Sequence, residues 1–300
     1  GDTMPHTIDT ENYLRLELKR QSAEERMYAV LREMLAPLSR TDSILSQQTK
    51  EQFNKIFDLD IPKADFPEYG MYKNINKKLT YLTACSVLDE ITPGKRKISD
   101  FLQPSAFELD TGNIACFKNA AFDKAYRSLS KYIPSSDINY YTDFNSVCEA
   151  VYDGKADHCI LPIENSTDGR LDGFYNLISK YELFICLASD VMSDDENAKT
   201  RFALCGKNTE PLISSKKESE RYAEIYIRYD KENTISDIMF YSDFFGIKTV
   251  KADCVPSPYS DGEYDVHVTA FAKESELVRL FLLFFLKQIR YSVFGISAFV

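Results

Sequence analysis

Hydrophobic positions recur at helical spacing through the first third of the chain. Residues 11–102 are rich in Leu, Glu, Lys, Arg and Gln, and one predicted helix face carries Met27, Val30, Leu31, Met34 and Leu35. No chemical motif interrupts this pattern, and a stripe of Leu and Met is more often a packing surface than a ligand site. The sequence therefore predicts a helical N-terminal region over residues 1–110, whose role it leaves open.

After Asn113 the pattern changes to short strands that alternate with helices. Short apolar runs, typical of strands, occupy residues 114–117, 138–141, 159–161 and 183–187. Helical spacing appears at residues 121–132 and 144–152, and the next helix is expected to start near Asp168 or Gly169. This alternation predicts an α/β lobe with a mainly parallel sheet over residues 111–208.

The last part of the chain follows a βαββαβ order. Strands are predicted at residues 224–229, 248–254, 264–270 and 291–300, with helices at 234–245 and 274–289. This order is that of a ferredoxin-like plait, here assigned to residues 218–300. The second helix is apolar on nearly every face, so it either fills the domain core or joins two copies of the chain.

Charge and composition narrow the classes of function. The chain of 300 residues carries 36 Lys and Arg against 46 Asp and Glu, and without a long basic run we expect no nucleic-acid partner. The longest strongly apolar run, LFLLFFL at residues 280–286, is too short to span a membrane. Seven scattered cysteines without a C-x-x-C pair, and only three histidines, indicate a cytoplasmic protein with reduced thiols and no zinc site.

A cluster of small polar residues, Glu164-Asn-Ser-Thr-Asp-Gly169, follows the apolar run at residues 159–161. At the carboxyl end of a strand and the amino end of a helix, free backbone N–H groups favour a small anion, and Asn165 and Ser166 offer directed hydrogen bonds. The alternative is that Ser166, Thr167 or Asp168 merely caps the helix. Both interpretations stay open at this point.

Two motifs resemble the prephenate dehydratase family. The first is Leu161-Pro-Ile-Glu-Asn-Ser166 with Gly169 after it, and the second is Lys199-Thr-Arg-Phe-Ala203. In that family the second motif precedes a regulatory ACT domain, whose βαββαβ order matches residues 218–300. The resemblance covers residues 113–300. It implies α/β and α+β architecture: a helical N-terminal region, a single periplasmic-binding-like lobe and an ACT-like domain.

The resemblance implies a reaction and site residues. Family members remove carbon dioxide and the ring hydroxyl from prephenate to give phenylpyruvate, a step toward phenylalanine, and no metal or organic cofactor is implied. If the chemistry carries over, Thr200 would be catalytic and would donate a proton or a hydrogen bond to the ring hydroxyl. The implied contacts to prephenate or an aromatic amino acid come from Glu164, Asn165, Ser166, Gly169, Arg201 and Phe202. A homodimer through the ACT-like domain is also expected.

The sequence departs from the family pattern in three places. Only residues 188–199 separate the last strand of the lobe from Thr200, where the family inserts a second catalytic lobe. The loop after the first strand, Lys118-Asn-Ala-Ala-Phe122, lacks the family's glycines. In the C-terminal region, residues 232–235 and 252–256 lack the glycine and arginine of phenylalanine-sensing members.

Two hypotheses follow from these departures. One is a degenerate protein that binds a small anionic or aromatic ligand as a sensor or regulatory module. The other is an active dehydratase in which the N-terminal region or a dimer partner completes the cleft.

Overall fold

A computed structural model describes most of the chain as two compact units. The described residues are 10–40, 45–58, 73–92, 96–102, 112–133, 137–193, 197–209, 220–231, 233–257 and 262–300. One unit comprises the residues up to Lys95 together with Phe285–Gln288, and the other comprises Arg96–Phe284 with Ile289–Val300. Among the described helices, none is both long enough and apolar enough to cross a membrane.

The first unit is helical, as the sequence predicts. Its helices are α1 (Thr10–Leu35), α2 (Gln47–Asp58) and α3 (Lys73–Ile91). Helix α1 packs against α3, and the hydroxyl of Tyr28 donates a hydrogen bond to Glu90 across that contact. The predicted stripe on α1 is only partly buried, because Leu31 and Leu35 lie in the core while Val30 is exposed.

The second unit begins with an α/β lobe of six strands and three helices. The strands are β1 (Asn113–Phe117), β2 (Asp137–Tyr141), β3 (His158–Asn165), β4 (Gly169–Arg170), β5 (Phe184–Met192) and β6 (Lys199–Gly206). The helices are α4 (Ala120–Leu129), α5 (Phe144–Tyr152) and α6 (Asp172–Lys180). Apolar side chains of α4 pack on one face of the sheet, and those of α5 and α6 pack on the other.

The sheet of the lobe has the order β2-β1-β3-β6-β5. Strand β1 pairs in parallel with β2 and β3, whereas β6 is antiparallel to both of its neighbours. Strands β2, β1, β3 and β5 therefore run in one direction, in agreement with the predicted mainly parallel lobe. Strand β6 was not predicted, although the apolar run Phe202-Ala-Leu-Cys205 within it has a strand-like composition.

The rest of the second unit, here called the plait, has the predicted βαββαβ order. Its elements are β7 (Arg221–Arg228), α7 (Ile235–Phe244), β8 (Lys248–Pro256), β9 (Tyr264–Ala272), α8 (Glu274–Lys287) and β10 (Tyr291–Phe299). Antiparallel pairing gives the order β10-β7-β9-β8, and β10 also pairs in parallel with β5 of the lobe. One sheet thus runs through lobe and plait.

Gly295 permits the joint between these two parts of the sheet. A Cβ atom built on Gly295 would lie 2.4 Å from the Ile185 Cβ atom and 2.8 Å from the Ile185 carbonyl oxygen. No side chain fits at such distances. The absence of a side chain at this position lets β10 approach β5 closely enough to continue the sheet.

Candidate functional site

The polar cluster of the first motif forms a hairpin turn rather than the start of a helix. Strand β3 continues to Asn165, and the chain turns back so that Asn165 pairs with Gly169 and Glu164 pairs with Arg170. Gly169 has φ +72, a left-handed conformation that favours glycine. Helix α6 begins only at Asp172, so the predicted helix start near Asp168 or Gly169 is wrong.

Asn165 and Ser166 are engaged in holding this hairpin. The Asn165 side-chain oxygen accepts hydrogen bonds from the Thr167 N–H at 2.9 Å and the Asp168 N–H at 2.5 Å. Ser166 donates its N–H to the Lys199 carbonyl at 2.8 Å, and its Oγ accepts the Lys199 N–H at 2.9 Å. The two side chains therefore satisfy backbone groups of the turn and of β6, which is neither helix capping nor contact with an anion at a helix N-terminus.

The fold brings the two motifs side by side. Thr200 on β6 lies directly opposite Asn165 on β3 and opposite Val191 on β5. Residues alternate between the faces of a strand, so Thr200 shares a face with Phe202. Phe202 is 2% exposed and packs edge-on against Phe122 with ring centres 5.0 Å apart. Of this pair, only Thr200 keeps solvent access.

Arg201 points to the opposite face and is held by two carboxylates. Its Nε donates to Asp190 at 2.9 Å, and its Nη1 lies 3.3 Å from the Glu164 carboxylate. Burial alone would raise the pKa of Asp190, but hydrogen bonds from Arg201 and Lys199 outweigh it and hold that pKa below its usual value. The Arg201 guanidinium also lies over the rings of Phe299 and Tyr222, at 4.9 Å and 5.4 Å.

Phenylalanine rings pack together at the carboxyl end of β1, where open α/β sheets usually bind ligands. The Phe144 ring stacks on Phe117 at 4.7 Å and meets Phe174 edge-on at 4.7 Å. Phe122 contacts both Phe117 and Phe144 at 5.7 Å. We call this set the phenylalanine cluster: Phe117, Phe122, Phe144, Phe174 and Phe202. Phe122 and Phe202 are buried, whereas the other three rings are partly exposed.

The helices beside this cluster are capped by their own side chains. The Asn119 side chain accepts a hydrogen bond from the Ala121 N–H at the start of α4. The Asp143 carboxylate accepts from the N–H and the hydroxyl of Ser146 at the start of α5, and both hydrogen bonds hold the pKa of Asp143 below its usual value. The N-terminus of α5 is thus already occupied by an anion.

Two open surface pockets in the described part of the chain are lined by residues outside both motifs. One, of about 280 Å³, is formed by the loops beside Arg228 and Glu263. The other, of about 390 Å³, lies along α1 beside Arg15 and Arg26. In the described ranges no group of three or more His, Cys, Asp or Glu side chains is arranged to hold a metal ion.

Sequence reasoning missed Asp190, the partner of Arg201, and the phenylalanine cluster. Asp190 lay in the segment taken as a linker, but β5 extends through it to Met192. The cluster residues come from five separate elements, and only the loss of glycines after β1 indicated that the crevice had changed. Glu164 was named from its motif, but its ion pair with Arg201 was not foreseen.

Comparisons with known proteins support the resemblance seen in the sequence. Residues 111–191 match the family model described as prephenate dehydratase. Prephenate dehydratase from Streptococcus mutans is 21% identical with a TM-score of 0.51, over 63% of this chain and 99% of that one. At this identity the likeness shows the fold alone. A comparison with curated proteins gave no significant match.

Two other solved structures are similar at a lower level. Prephenate dehydratase from Arthrobacter aurescens in complex with L-Phe is 14% identical with a TM-score of 0.49, over 62% of this chain and 90% of that one. GqqA, described as a novel type of quorum quenching acylase, is 16% identical with a TM-score of 0.48, over 63% and 95%. The family match supports the suspected relation to the prephenate dehydratase family and ends before Thr200.

Proposed function

We propose that this prephenate dehydratase-like protein does not dehydrate prephenate and instead binds a small aromatic acid as a sensor or regulatory module. The phenylalanine cluster carries the proposal, because its rings occupy the end of the sheet where a substrate would have to enter. Prephenate is a dianion, and a surface of phenyl rings cannot donate hydrogen bonds to its two carboxylates.

The short connection between β5 and β6 supports the same conclusion. Ser193 donates its N–H to the Ala198 carbonyl at 2.7 Å, which closes the connection as a hairpin. A second catalytic lobe at this position would supply the other wall of a cleft and exclude water. A hairpin supplies neither.

The polar residues of the motifs are also engaged elsewhere. Asn165 and Ser166 hold the turn, and Arg201 is neutralised by Asp190 and Glu164. A carboxylate ligand would have to replace these contacts in a site open to water, where charge-assisted hydrogen bonds gain little net free energy.

The cluster retains a surface suited to an aromatic ligand. Phe117, Phe144 and Phe174 keep part of their rings exposed, and aromatic pairs gain about 0.5–1.5 kcal/mol beyond burial. The charged Asp143 beside Phe144 repels a dianion but attracts an ammonium group. These features favour an aromatic amino acid such as L-phenylalanine over prephenate.

The alternative is an active dehydratase, and the position of Thr200 opposite Asn165 favours it. The test is prephenate turnover at neutral to alkaline pH, measured for the wild type and Thr200→Ala. Thr249→Ala on β8, which belongs to neither motif, is the matched control. Turnover that disappears only in Thr200→Ala would establish the alternative and refute the proposal.

A binding measurement completes the test. We expect no prephenate turnover, and calorimetric binding of L-phenylalanine that Phe144→Ala weakens by about tenfold or more. Absence of L-phenylalanine binding to the wild type would contradict the sensor function. Equal binding by wild type and Phe144→Ala would place the ligand elsewhere.

We further propose that the plait is an ACT-like domain and that it forms a homodimer through β8. In the described part of the chain β8 forms one of the two edges of the ten-stranded sheet, and β2 forms the other. Val250 on β8 is 61% exposed. Helix α8 is less suitable than the sequence suggested, because its residues Phe281–Phe284 are all buried within the chain. Light scattering of Val250→Lys should show a monomer if this edge pairs, since a charge at an edge opposes strand addition.

A further inference from the structure

A cluster of buried polar side chains lies in the sheet of the plait, on the face turned toward α6. Glu224 on β7 is fully buried, and its carboxylate accepts hydrogen bonds from the hydroxyls of Tyr222 and Thr269 and pairs with His267. We call these four residues the Glu224 cluster. Burial would raise the pKa of Glu224, but the interaction with His267 and the hydrogen bonds from the two hydroxyls outweigh it and hold the pKa below its usual value.

The hairpin of the first motif reaches this cluster through Arg170. The Arg170 guanidinium donates a hydrogen bond to the Tyr226 hydroxyl and lies 4.5 Å from the centre of the Tyr175 ring. The Tyr226 ring in turn stacks on His267, with centres 4.7 Å apart. Arg170 directly follows Gly169, so a shift of the hairpin displaces a group that contacts Tyr226 and Tyr175, the two rings that pack on His267.

Arg201 makes a second connection, from β6. It joins Glu164 at the base of the hairpin to the Tyr222 ring, whose hydroxyl is bonded to Glu224. Glu164 also lies opposite Arg170 in the hairpin. Both arginines are therefore connected to the Glu164 end of the hairpin on one side and to aromatic rings of the plait on the other.

Helix α6 makes a third connection, from the phenylalanine cluster. Phe174 meets Phe144, while the adjacent Tyr175 lies edge-on to His267 with centres 5.0 Å apart. A ligand that touches Phe174 therefore acts on a helix whose next side chain contacts the Glu224 cluster.

The chemistry of the cluster argues against a purely structural role. Apolar residues of similar volume commonly replace buried ion pairs without loss of stability. Three buried polar atoms here, His267 Nδ1, Arg170 Nε and Ser297 Oγ, have no hydrogen-bond partner among the described residues. Each unsatisfied atom destabilises the observed arrangement, which favours any small rearrangement that gives the atom a partner.

We propose that Arg170, Arg201 and Tyr175 couple the hairpin and the phenylalanine cluster to the Glu224 cluster, so that ligand binding to the lobe changes the plait. The coupling rests on the proposed sensor function for its biological use, but the contacts transmit a perturbation with or without ligand. Coupling is reciprocal, so a change made in the plait must reach the hairpin.

The test is amide hydrogen exchange of the full chain carrying Glu224→Gln. This isosteric change removes the charge that holds His267 and Tyr222, and we expect about tenfold faster exchange in peptides spanning residues 163–171. Tyr222→Phe, which removes one hydroxyl, serves if Glu224→Gln does not fold. The matched control is Ile225→Val, at the neighbouring buried position whose side chain points to the other face of β7.

The outcomes separate coupling from general loosening and from failure of the sensor function. Faster exchange at the hairpin in Glu224→Gln but not in Ile225→Val supports the coupling. Unchanged exchange at the hairpin in Glu224→Gln, or an equal rise in both variants, overturns it. L-phenylalanine added in a separate arm should slow exchange in β7 of the wild type and not of Arg201→Met. If L-phenylalanine does not bind, the sensor function fails while the ligand-free comparison still decides the coupling.

Discussion

His158 at the start of β3 is expected to destabilise the protein as pH falls from 7.5 to 5. Its imidazole is 1% exposed, and neither ring nitrogen has a hydrogen-bond partner among the described residues. Burial lowers the pKa of His158 to about 4, and the nearby Asp157 charge offsets only part of this effect.

The ring has little room to escape this environment. A Cβ atom built on Gly206 would lie 2.9 Å from the His158 Cδ2 atom, so the imidazole packs directly against the backbone of β6. Protonation therefore places a charge in the core instead of moving the ring to water.

The size of the effect follows from proton linkage. The folded-state pKa is depressed, so between pH 6.5 and 4 the unfolded chain binds more protons and stability is lost as pH falls. With pKa values of about 6.5 unfolded and about 4 folded, the unfolding free energy at pH 5 drops by about 2 kcal/mol relative to pH 7.5.

The assay compares urea unfolding of the wild type and His158→Leu at pH 7.5, 6.5, 5.5 and 5. Other titrating groups are common to both proteins, so the difference between the two pH profiles isolates His158. We expect the variant to lose about 2 kcal/mol less than the wild type between pH 7.5 and 5. Parallel profiles for the two proteins would refute the reasoning, whatever the variant does to stability at neutral pH.

Three further substitutions, the first with a matched control, test the joint, the hairpin and the arginine site. Gly295→Ala should cost about 1–3 kcal/mol in urea unfolding, because the new Cβ collides with Ile185. Gly173→Ala, with nothing within 4 Å of the built Cβ, should be neutral or stabilising. Asn165→Ala should cost about 1 kcal/mol and speed exchange of the turn amides that its side chain caps, and exchange at the wild-type rate would contradict that role. Asp190→Asn should cost about 1–3 kcal/mol at pH 7 by leaving Arg201 short of a charged partner. The difference should shrink as pH falls below about 4, the ordinary Asp pKa, because the unfolded wild-type chain then takes up the proton before the folded protein does.

Local patterns in the sequence determined the elements of this fold. Helical spacing predicted the helices of the first unit and of the plait, and β-branched and aromatic runs predicted the strands of the plait, in the order that the structure shows. These features depend on which faces of a segment are apolar, and each segment carries that information in its own residues. The family motifs were equally local, and they led to Asn165 and Thr200.

Tertiary structure decided what surrounds those residues. The turn at Asn165 reads as a helix start by composition, but the pairing of Asn165 with Gly169 makes it a hairpin, and Ser166 ties that hairpin to Lys199 on β6. Strand β6 lies between β5, its neighbour in sequence, and β3, which ends more than thirty residues earlier in the chain. No local signal specifies such pairing.

The candidate functions rest on the same kind of distant contact. The phenylalanine cluster gathers rings from five elements. Arg201 of β6 contacts Tyr222 of the Glu224 cluster, and Arg170 of β4 contacts Tyr226, which stacks on His267 of that cluster. The sequence determined which chemical groups the chain carries and the elements that bear them. Burial, charge pairing and access to solvent arise only when those elements pack, because each depends on side chains far apart in the chain.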